Sequence, residues 1–441
     1  MKFIDVLLFC TLFISVINSN LLRNLEDDTN LFDYTNYKYV KSNENISDTS
    51  LSSTNSDESI FYFTDQLFIL NRLNLNKPSA DTSNDENSEF YCVNSVLMAQ
   101  GGDAKIRMYN SSITSSARGA SGICITNNGK VGLYRTNLTL NGPNSKGLLC
   151  TYGGSITATL IRVATTQDAS SALTTYLGVS HIICNACILS TQGRNSSLIY
   201  SSGNVMVYSG TTGTAANSQL VVCKGKGSAS IEGNSAFSGT GRGMVGTEDS
   251  AGVLMFKEDK DLEEGTTIFN CQDSYMEILS SSPVYKTAPM ILLTNTDDSQ
   301  INLERCKFSY GSDTFLKMGA TSYWGKTGQN CGKGELNLKD QELNGNIMMD
   351  DCSELVINMI NSSLSGVVNP NCGKLTINMD KTSTITLGGN SCYTVLNNEG
   401  SGNIKNQTHE WINSRTKDSF FNCCFSEYIQ SSLFLILLIL L

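Results

Sequence analysis

The side chains best suited to acid–base chemistry in this chain are two pairs of adjacent carboxylates. Asp297 and Asp298 end the stretch NTDD, and Asp350 and Asp351 follow more than fifty residues later. Glycoside hydrolysis needs two carboxyl groups, one acting as acid and the other as base or nucleophile, on either side of one bond. Because the pairs are so far apart in sequence, we interpret all four carboxylates as solvated turn residues.

Other candidate catalysts and ligands lack the partners that their chemistry requires. Cys184 and Cys187 form a C-x-x-C motif, but no second pair and no nearby ligand histidine complete a zinc site, so bridging between repeats is the better interpretation. His181 and His409 have no evident catalytic partner. The acidic run KEDKDLEE, residues 257–264, is typical of an exposed loop rather than a calcium site. We therefore expect no enzymatic activity, no cofactor and no metal.

Two adjacent aromatic residues are candidates for ligand binding. Tyr323 and Trp324 lie in the glycine-rich stretch SYWG, where their rings could stack on a sugar. The alternative is that they cover the side of a structural repeat. A nucleic-acid partner is disfavoured, because the net charge is −10 and no Lys/Arg run is longer than two residues.

The elements that position these residues repeat every 20 to 25 positions. The markers are glycines in the first half of the chain and cysteines in the second: Gly129, Gly154, Gly178, Gly203, Gly227, Cys331, Cys352, Cys372 and Cys392. A fixed period of this length indicates a solenoid. Around the cysteines, apolar residues alternate with others, as in Leu355, Ile357 and Met359, which predicts short strands.

Short strands joined by Gly, Asn and Ser corners predict an all-β chain folded as a right-handed parallel β-helix. Residues 60–408 are long enough for about a dozen coils, and several coils are needed because one coil cannot bury its own apolar face. Residues 20–59 are polar and lack periodicity, which favours a disordered arm.

The cysteine spacing predicts disulfides between adjacent coils. Equivalent residues in neighbouring coils lie about 5 Å apart, within the range that a disulfide tolerates. Cys331–Cys352 with Cys372–Cys392 is one pairing, and Cys352–Cys372 is the competing choice. A third alternative is that these thiols stay reduced and stack inside the coils.

Both ends of the chain, and its sequons, are typical of the secretory route. Residues 1–19 resemble a signal peptide, and residues 409–441 end in an apolar run typical of a glycosylphosphatidylinositol (GPI) signal, with Asn422 as the attachment candidate and Asn413 as a second. A docked terminal strand is the alternative for this tail. The N-glycosylation candidates are Asn45, Asn110, Asn137, Asn195, Asn361 and Asn406. We expect the protein on the extracellular face of the plasma membrane or secreted.

Several stretches of the body resemble a known family. They include EFYCVNSVLMAQGGDAKIRMYNSSITSSARGASGI, APMILLTNTDDSQINLERCKFS and ELNGNIMMDDCSELVINMINSSLSG. Over residues 60–400 the chain is similar to secreted, adhesin-like right-handed β-helix proteins of the pectin-lyase-like superfamily, mostly bacterial. It departs from them in its body cysteines, its N-terminal arm and its hydrophobic tail. The resemblance implies a non-catalytic surface fold.

These observations lead to three functional hypotheses. The first is a non-enzymatic adhesin or carbohydrate-binding rod, whose partners are polysaccharides or surface glycans and, through the lipid anchor, the membrane. The second is a polysaccharide lyase or hydrolase of the pectin-lyase-like type, although the G-H-G and R-I-K motifs that accompany the acidic pairs in polygalacturonases are absent from the sequence. The third is a structural surface coat.

Overall fold

The computed structural model describes residues 37–39 (backbone only), 45–244, 249–258, 264–321, 323–326, 331–399, 404–405 and 409–413. This part of the chain is almost entirely β-strand, and its strands form long parallel sheets. Consecutive strands pass from a sheet that we call face A to face B and face C, and the chain then returns to face A one level higher. Each such circuit is one coil.

The strand bounds follow this order on each face. Face A consists of Tyr37–Tyr39, Ser59–Phe63, Leu97–Gln100, Ile123–Thr126, Leu148–Cys150, Leu173–Thr175, Ile199–Ser201, Val221–Lys224, Val253–Phe256, Ile291–Thr294, Thr314–Met318 and Asn346–Met349. Face B consists of Ile46–Ser47, Leu67–Asn71, Lys105–Tyr109, Lys130–Tyr134, Ser155–Thr159, His181–Asn185, Asn204–Tyr208, Ser228–Ile231, Thr267–Gln272, Ser299–Glu304, Lys333–Lys339, Glu354–Ile360, Lys374–Met379 and Val395–Asn398.

Face C is formed by two successive sheets of ten and four strands. The first contains Ser50–Ser52, Asn74–Lys77, Ser112–Ser115, Asn137–Leu140, Arg162–Thr165, Ile188–Arg194, Thr212–Asn217, Ala236–Gly239, Tyr275–Ile278 and Lys307–Ser309. The second contains Glu342–Asn344, Ser363–Gly366, Thr384–Leu387 and Ile404–Lys405. A final pair joins Ser391–Tyr393 to Trp411–Asn413. Because face B has fourteen strands, the described chain makes fourteen coils, which we number by those strands, and the predicted parallel β-helix is confirmed.

The register between coils stacks the same kind of side chain at each level. On face B, Leu336, Ile357 and Ile377 are direct neighbours in successive coils, and all three are fully buried. Because strand side chains alternate between the two faces of a sheet, these residues fill the interior while those between them point outward. The alternation seen around Leu355 and Met359 is therefore the signature of the core.

The corner between face B and face C depends on one backbone conformation. Each of the first twelve coils has one non-glycine residue with φ between 47° and 63° at this corner: Asp48, Arg72, Asn110, Arg135, Leu160, Ala186, Ser209, Asn234, Asp273, Arg305, Asp340 and Asn361. In most of these coils the next residue turns into the core, as Leu73, Ile161 and Cys306 do. The left-handed backbone conformation costs free energy for any residue other than glycine. Stacking of the same corner in successive coils keeps these residues in it.

Five insertions lengthen particular coils. Three join face C to the next face A, over residues 78–96, 240–252 and 279–290, and two join face A to face B, over 257–266 and 319–332. The insertion 78–96 contains the helix Asp85–Phe90, which is capped by the Asn84 side chain accepting from the Asn87 backbone N–H. These insertions break the sequence period without breaking the register of the sheets.

The boundaries expected from the sequence need two corrections. Strands Ile46–Ser47 and Ser50–Ser52 lie inside the segment 20–59, so this part of the expected arm belongs to the first coil. The polar composition is misleading because Ile46 and Leu51 still pack against the core while their neighbours point outward. At the other end, Trp411–Asn413 extends the strands past residue 408. Within the described residues, no helix is long and apolar enough to span a membrane.

Candidate ligand-binding surface

The acidic pairs singled out from the sequence serve as corner residues. Asp297 forms an ion pair with the buried Lys257, and Asp298 accepts from the Thr266 hydroxyl, both in coil 10. Asp350, in coil 12, accepts from the Ser353 backbone N–H at 2.9 Å. The two pairs therefore lie two coils, about 10 Å, apart along the stack. The structure does not bring them together as acid and base.

Trp324 covers the β-helix instead of facing solvent, which is the alternative that the sequence left open for it. Its side chain is 8% exposed and packs on Leu254 and Leu292, with its ring 4.4 Å from that of Phe256. These outward residues of face A are apolar, and burying them explains the cover. Tyr323 is 58% exposed and meets Trp324 edge-on, so it is the member of the pair that solvent reaches.

Four disulfides join described cysteines, and all connect neighbouring parts of the stack. They are Cys92–Cys124, Cys271–Cys306, Cys331–Cys352 and Cys372–Cys392. The last two have Cα–Cα distances of 5.8 and 5.0 Å and correspond to the first of the pairings that the spacing left open. The first two join cysteines 32 and 35 residues apart. These separations exceed the repeat length because insertions add residues between the paired positions.

The expected bridging of Cys184 and Cys187 between coils is wrong, because both are buried free thiols. Cys184 points into the core, and its neighbours in adjacent coils are Ala158 and Val207, which offer no sulfur. Elsewhere, Cys331, Asp350 and Cys352 lie close enough to share a metal ion. Since both sulfurs there belong to one disulfide, no thiolate is available to bind it.

The sequons in the described residues lie at the surface or close to it. Asn45, Asn110, Asn137 and Asn361 are exposed, and Asn195 is half-buried. Asn110 and Asn361 occupy the left-handed corner, where their amides donate to Asn71 Oδ1 at 3.2 Å and Asp340 Oδ1 at 2.7 Å in the preceding coil. Asn406, the attachment candidate Asn422, the signal peptide and the apolar tail lie outside the described residues.

The feature that sequence reasoning missed is a row of aromatic rings on the outer side of face A. The insertion 78–96 contacts this side at coils 4 to 6, and Trp324 with its neighbours covers it over coils 8 to 10. Between the two covers, Tyr176 and Tyr200 are only half-buried. Between the covers, the outward strand residue of coil 7, Tyr200, is therefore only partly buried.

We call the aromatic surface the group Phe90, Tyr91, Tyr152, Tyr176 and Tyr200. The rings of Phe90 and Tyr176 meet edge to face at 5.4 Å between centroids, and those of Tyr176 and Tyr200 at 5.5 Å. Tyr91 stacks on Tyr152 at 5.9 Å. All five residues are half-buried, so their rings are held by packing but remain within reach of a ligand. Rigid, half-exposed rings of this kind suit stacking on the apolar side of a sugar.

Two ion pairs frame the aromatic surface. Glu89 of the insertion bonds Lys146 at 2.8 Å, and Glu258 at the corner of coil 9 bonds Lys224 at 2.6 Å. Burial, and then Glu89, Tyr200 and Glu258, raise the pKa of the Tyr176 hydroxyl well above its usual value. The hydroxyl is therefore neutral at physiological pH and can donate a hydrogen bond.

A sequence signal for this surface existed. Tyr152, Tyr176 and Tyr200 are spaced by 24 residues, the length of the repeat in this half of the chain. Such spacing indicates that the tyrosines lie near one corner of successive coils, although it does not show that the insertion leaves them partly uncovered.

Comparisons of the chain with protein-family models, curated proteins and solved structures found no match.

Proposed function

We propose that this protein is a non-enzymatic, carbohydrate-binding β-helix that acts as an adhesin at the cell surface. The observation that carries the proposal is the aromatic surface, in which the Tyr176 and Tyr200 rings pack against each other and both residues are only partly buried. Aromatic rings bind sugars through their flat apolar faces, and neighbouring ion pairs and hydroxyls supply directional hydrogen bonds.

The proposed location follows from the ends of the chain and the disulfides. A signal-peptide-like N-terminus, a GPI-like tail and surface sequons support secretion and anchoring to the extracellular face of the plasma membrane. The four disulfides support an oxidising compartment, because such bonds are rare in reducing ones. The resemblance to secreted adhesin-like β-helix proteins points the same way.

The experiment uses the full chain purified from a secreting host. Its retention on immobilised neutral and acidic polysaccharides is measured together with the appearance of new chain ends. Retention without cleavage is the expected result. Absence of retention on every polysaccharide would contradict carbohydrate binding and leave the structural coat as the better hypothesis.

Replacing one ring tests whether retention depends on the aromatic surface. Tyr200→Ala removes a partly buried ring, and we expect affinity to fall about three- to tenfold, the loss of one aromatic contact. Tyr275→Ala is the matched control, because Tyr275 is a solvent-exposed tyrosine on face C, away from the aromatic surface. Equal affinity of the two variants would contradict the assignment of the site.

A polysaccharide-cleaving enzyme is the second candidate, and one observation favours it. Glu89 adjoins Phe90, whose ring meets that of Tyr176, and both Glu89 and Glu258 help to raise the pKa of the Tyr176 hydroxyl. Both carboxylates are paired with lysines. New chain ends that disappear in Glu89→Gln or Glu258→Gln would establish cleavage and overturn the non-enzymatic proposal.

A further inference from the structure

Three threonine hydroxyls lie buried and unpaired next to the aromatic surface. Thr126, Thr151 and Thr174 are 1%, 0% and 0% exposed, and their Oγ1 atoms have no hydrogen-bond partner within the described part of the chain. They belong to coils 4, 5 and 6 of face A. Thr126 and Thr151 occupy corresponding positions, and Thr174, which is opposite Leu149, lies two positions earlier along its strand. We call these residues the threonine row.

The threonine row points outward, toward the insertion 78–96. Ile125, Cys150 and Leu173, the neighbours of these threonines along the chain, belong to the interior core, so alternation places the threonines on the outer side. The insertion lies over them, because Cys92 is bridged to Cys124 beside Thr126. Its Phe90 and Tyr91 contact the rings of Tyr176 and Tyr152, next to Thr174 and Thr151.

An unpaired buried hydroxyl is unfavourable, because it has lost its bonds to water and gained none in return. Three of them under one insertion make the covered arrangement less stable than it would be over an apolar sheet. A ligand that supplies hydrogen bonds to these oxygens would recover the lost free energy. The natural partner for a row of neutral hydroxyls is another set of neutral hydroxyls.

The contacts that hold the helix of the insertion in place are mostly polar. Arg118 bonds Asp85 at 2.7 Å, with both side chains partly exposed, and Lys146 bonds Glu89. The Arg118–Asp85 pair is near the surface and contributes little to stability, whereas Lys146 is buried and has to become hydrated when the helix lifts. The Cys92–Cys124 disulfide, in contrast, fastens the end of the insertion covalently. The helix can therefore lift while Cys92 stays attached.

We propose that the threonine row is a binding subsite for an uncharged sugar chain, which enters when the helix Asp85–Phe90 lifts from face A. This inference rests on the proposed function and adds the chemical class of the ligand. The class follows from charge: the two cations that the insertion contacts, Arg118 and Lys146, are each already paired with one of its carboxylates. An acidic polysaccharide would have to displace those carboxylates, whereas a neutral one does not.

The first test removes one hydroxyl at constant side-chain shape. Thr151→Val should raise the thermal unfolding midpoint of the free protein and lower its affinity for a neutral β-glucan such as laminarin about two- to tenfold, the loss of one hydrogen bond. Thr191→Val is the matched control, because Thr191 is equally buried and unpaired but points into the interior of coil 6. It should raise the midpoint without changing affinity.

The outcomes separate this inference from the proposed function. Equal laminarin affinities of Thr151→Val and Thr191→Val would overturn the subsite even if Tyr200→Ala still weakens binding. Binding of polygalacturonate but not of laminarin would overturn the uncharged ligand class while leaving carbohydrate binding intact. If the wild-type protein bound neither laminarin nor polygalacturonate, the proposed function itself would be rejected.

A second measurement tests the lifting of the helix. Amide hydrogen exchange of residues 85–90 should become faster when laminarin binds, because the sugar occupies the place that the helix covers, and Glu89→Gln, which breaks the ion pair to Lys146, should speed exchange in the free protein. Exchange that is unaffected by both changes would show that the helix does not open, and would contradict entry by this route.

Discussion

At the scale of single residues, Asp380 illustrates how a surface carboxylate can hold a corner of the β-helix. It accepts from the hydroxyls of Ser383 at 2.6 Å and Thr382 at 2.7 Å, and from the backbone N–H of Asn361 at 3.3 Å in the preceding coil. These bonds, Ser383 first, lower the pKa of Asp380 to about 2. The ionised form is therefore the one that the folded chain prefers.

The sign of the pH dependence follows from that direction. Since the folded pKa lies below the ordinary value of 3.8, the stabilisation is complete above the unfolded pKa and is lost as pH falls through about 2. We expect the wild-type protein to be more stable than Asp380→Asn at pH 7 and this advantage to shrink as pH falls from 4 toward 2. Urea unfolding of both proteins at several pH values measures it. A difference that is constant with pH would contradict the prediction.

At the scale of elements, an asparagine ladder stiffens the outer side of face B. It runs through six successive coils: Asn270, Asn302, Asn337, Asn358, Asn378 and Asn397. From Asn302 onward, each side-chain amide donates to the side-chain oxygen of the asparagine one coil below, at 2.7 or 2.8 Å. Every interior member thus both donates and accepts within the ladder.

The position of an asparagine in this ladder should decide its contribution. Asn337→Ala removes two bonds from half-buried partners, so we expect a loss of about 1–3 kcal/mol in the free energy of unfolding. Asn397→Ala, at the exposed end of the ladder, removes one bond and should cost about 1 kcal/mol or less. Denaturant unfolding compares them. Equal losses would show that the ladder bonds contribute little.

The disulfide Cys271–Cys306 defines a geometry that recurs elsewhere in the stack. Cys271 pairs in register with Leu303, three residues before Cys306, which follows the left-handed Arg305. Ala158 pairs in register with Cys184, three residues before Cys187, which follows the left-handed Ala186. Cys187 Sγ already lies 3.8 Å from the Ala158 carbonyl oxygen. The two sites are therefore equivalent, apart from the missing sulfur.

This equivalence predicts a new disulfide. In Ala158→Cys, the introduced thiol should bond to Cys187, so the number of free thiols should be lower than in the double variant Ala158→Cys with Cys187→Ala. Peptide mapping by mass spectrometry under non-reducing conditions identifies the bridge. Pairing of the introduced thiol with Cys184, or with none, would contradict the proposed equivalence.

At the scale of the whole molecule, the register predicts that complete coils can be removed. Lys333, Glu354 and Lys374 are equivalent positions in successive coils, so deleting residues 333–373 joins matching points of coils 11 and 13. Solenoid stability is roughly a sum over neighbouring repeats, and we expect the shortened chain to fold. Cys331 should then take the place of Cys372 and pair with Cys392.

The control is a second deletion whose two ends are not equivalent positions of the coils. Deleting residues 333–363 joins the start of a face B strand to the middle of a face C strand, so outward residues would turn inward. Circular dichroism and non-reducing peptide mapping compare the two products. A folded out-of-register product, or an unfolded in-register one, would contradict the modular description.

Much of the fold was predictable because a short residue pattern specifies the strands of each coil and this pattern recurs in successive coils. Alternation in Leu355, Ile357 and Met359 reports which side of a strand faces the core, and the cysteine period reports the length of a coil. The aromatic surface was not predictable in this way. Phe90 lies 86 residues before Tyr176 (176 − 90 = 86), and only the path of the insertion across three coils brings their rings together.

The sequence by itself determined that the chain builds stacked parallel strands, since a strand's inward and outward sides depend on residue alternation alone. Tertiary structure decided what each outward side chain meets. Trp324 looked like a ligand-binding residue but is buried, because the outer side of face A beneath it is apolar. The hydroxyls of Thr126, Thr151 and Thr174 are unpaired because an insertion from another level of the stack lies over them. Contacts between distant segments carry no local pattern, so only the folded chain reveals them.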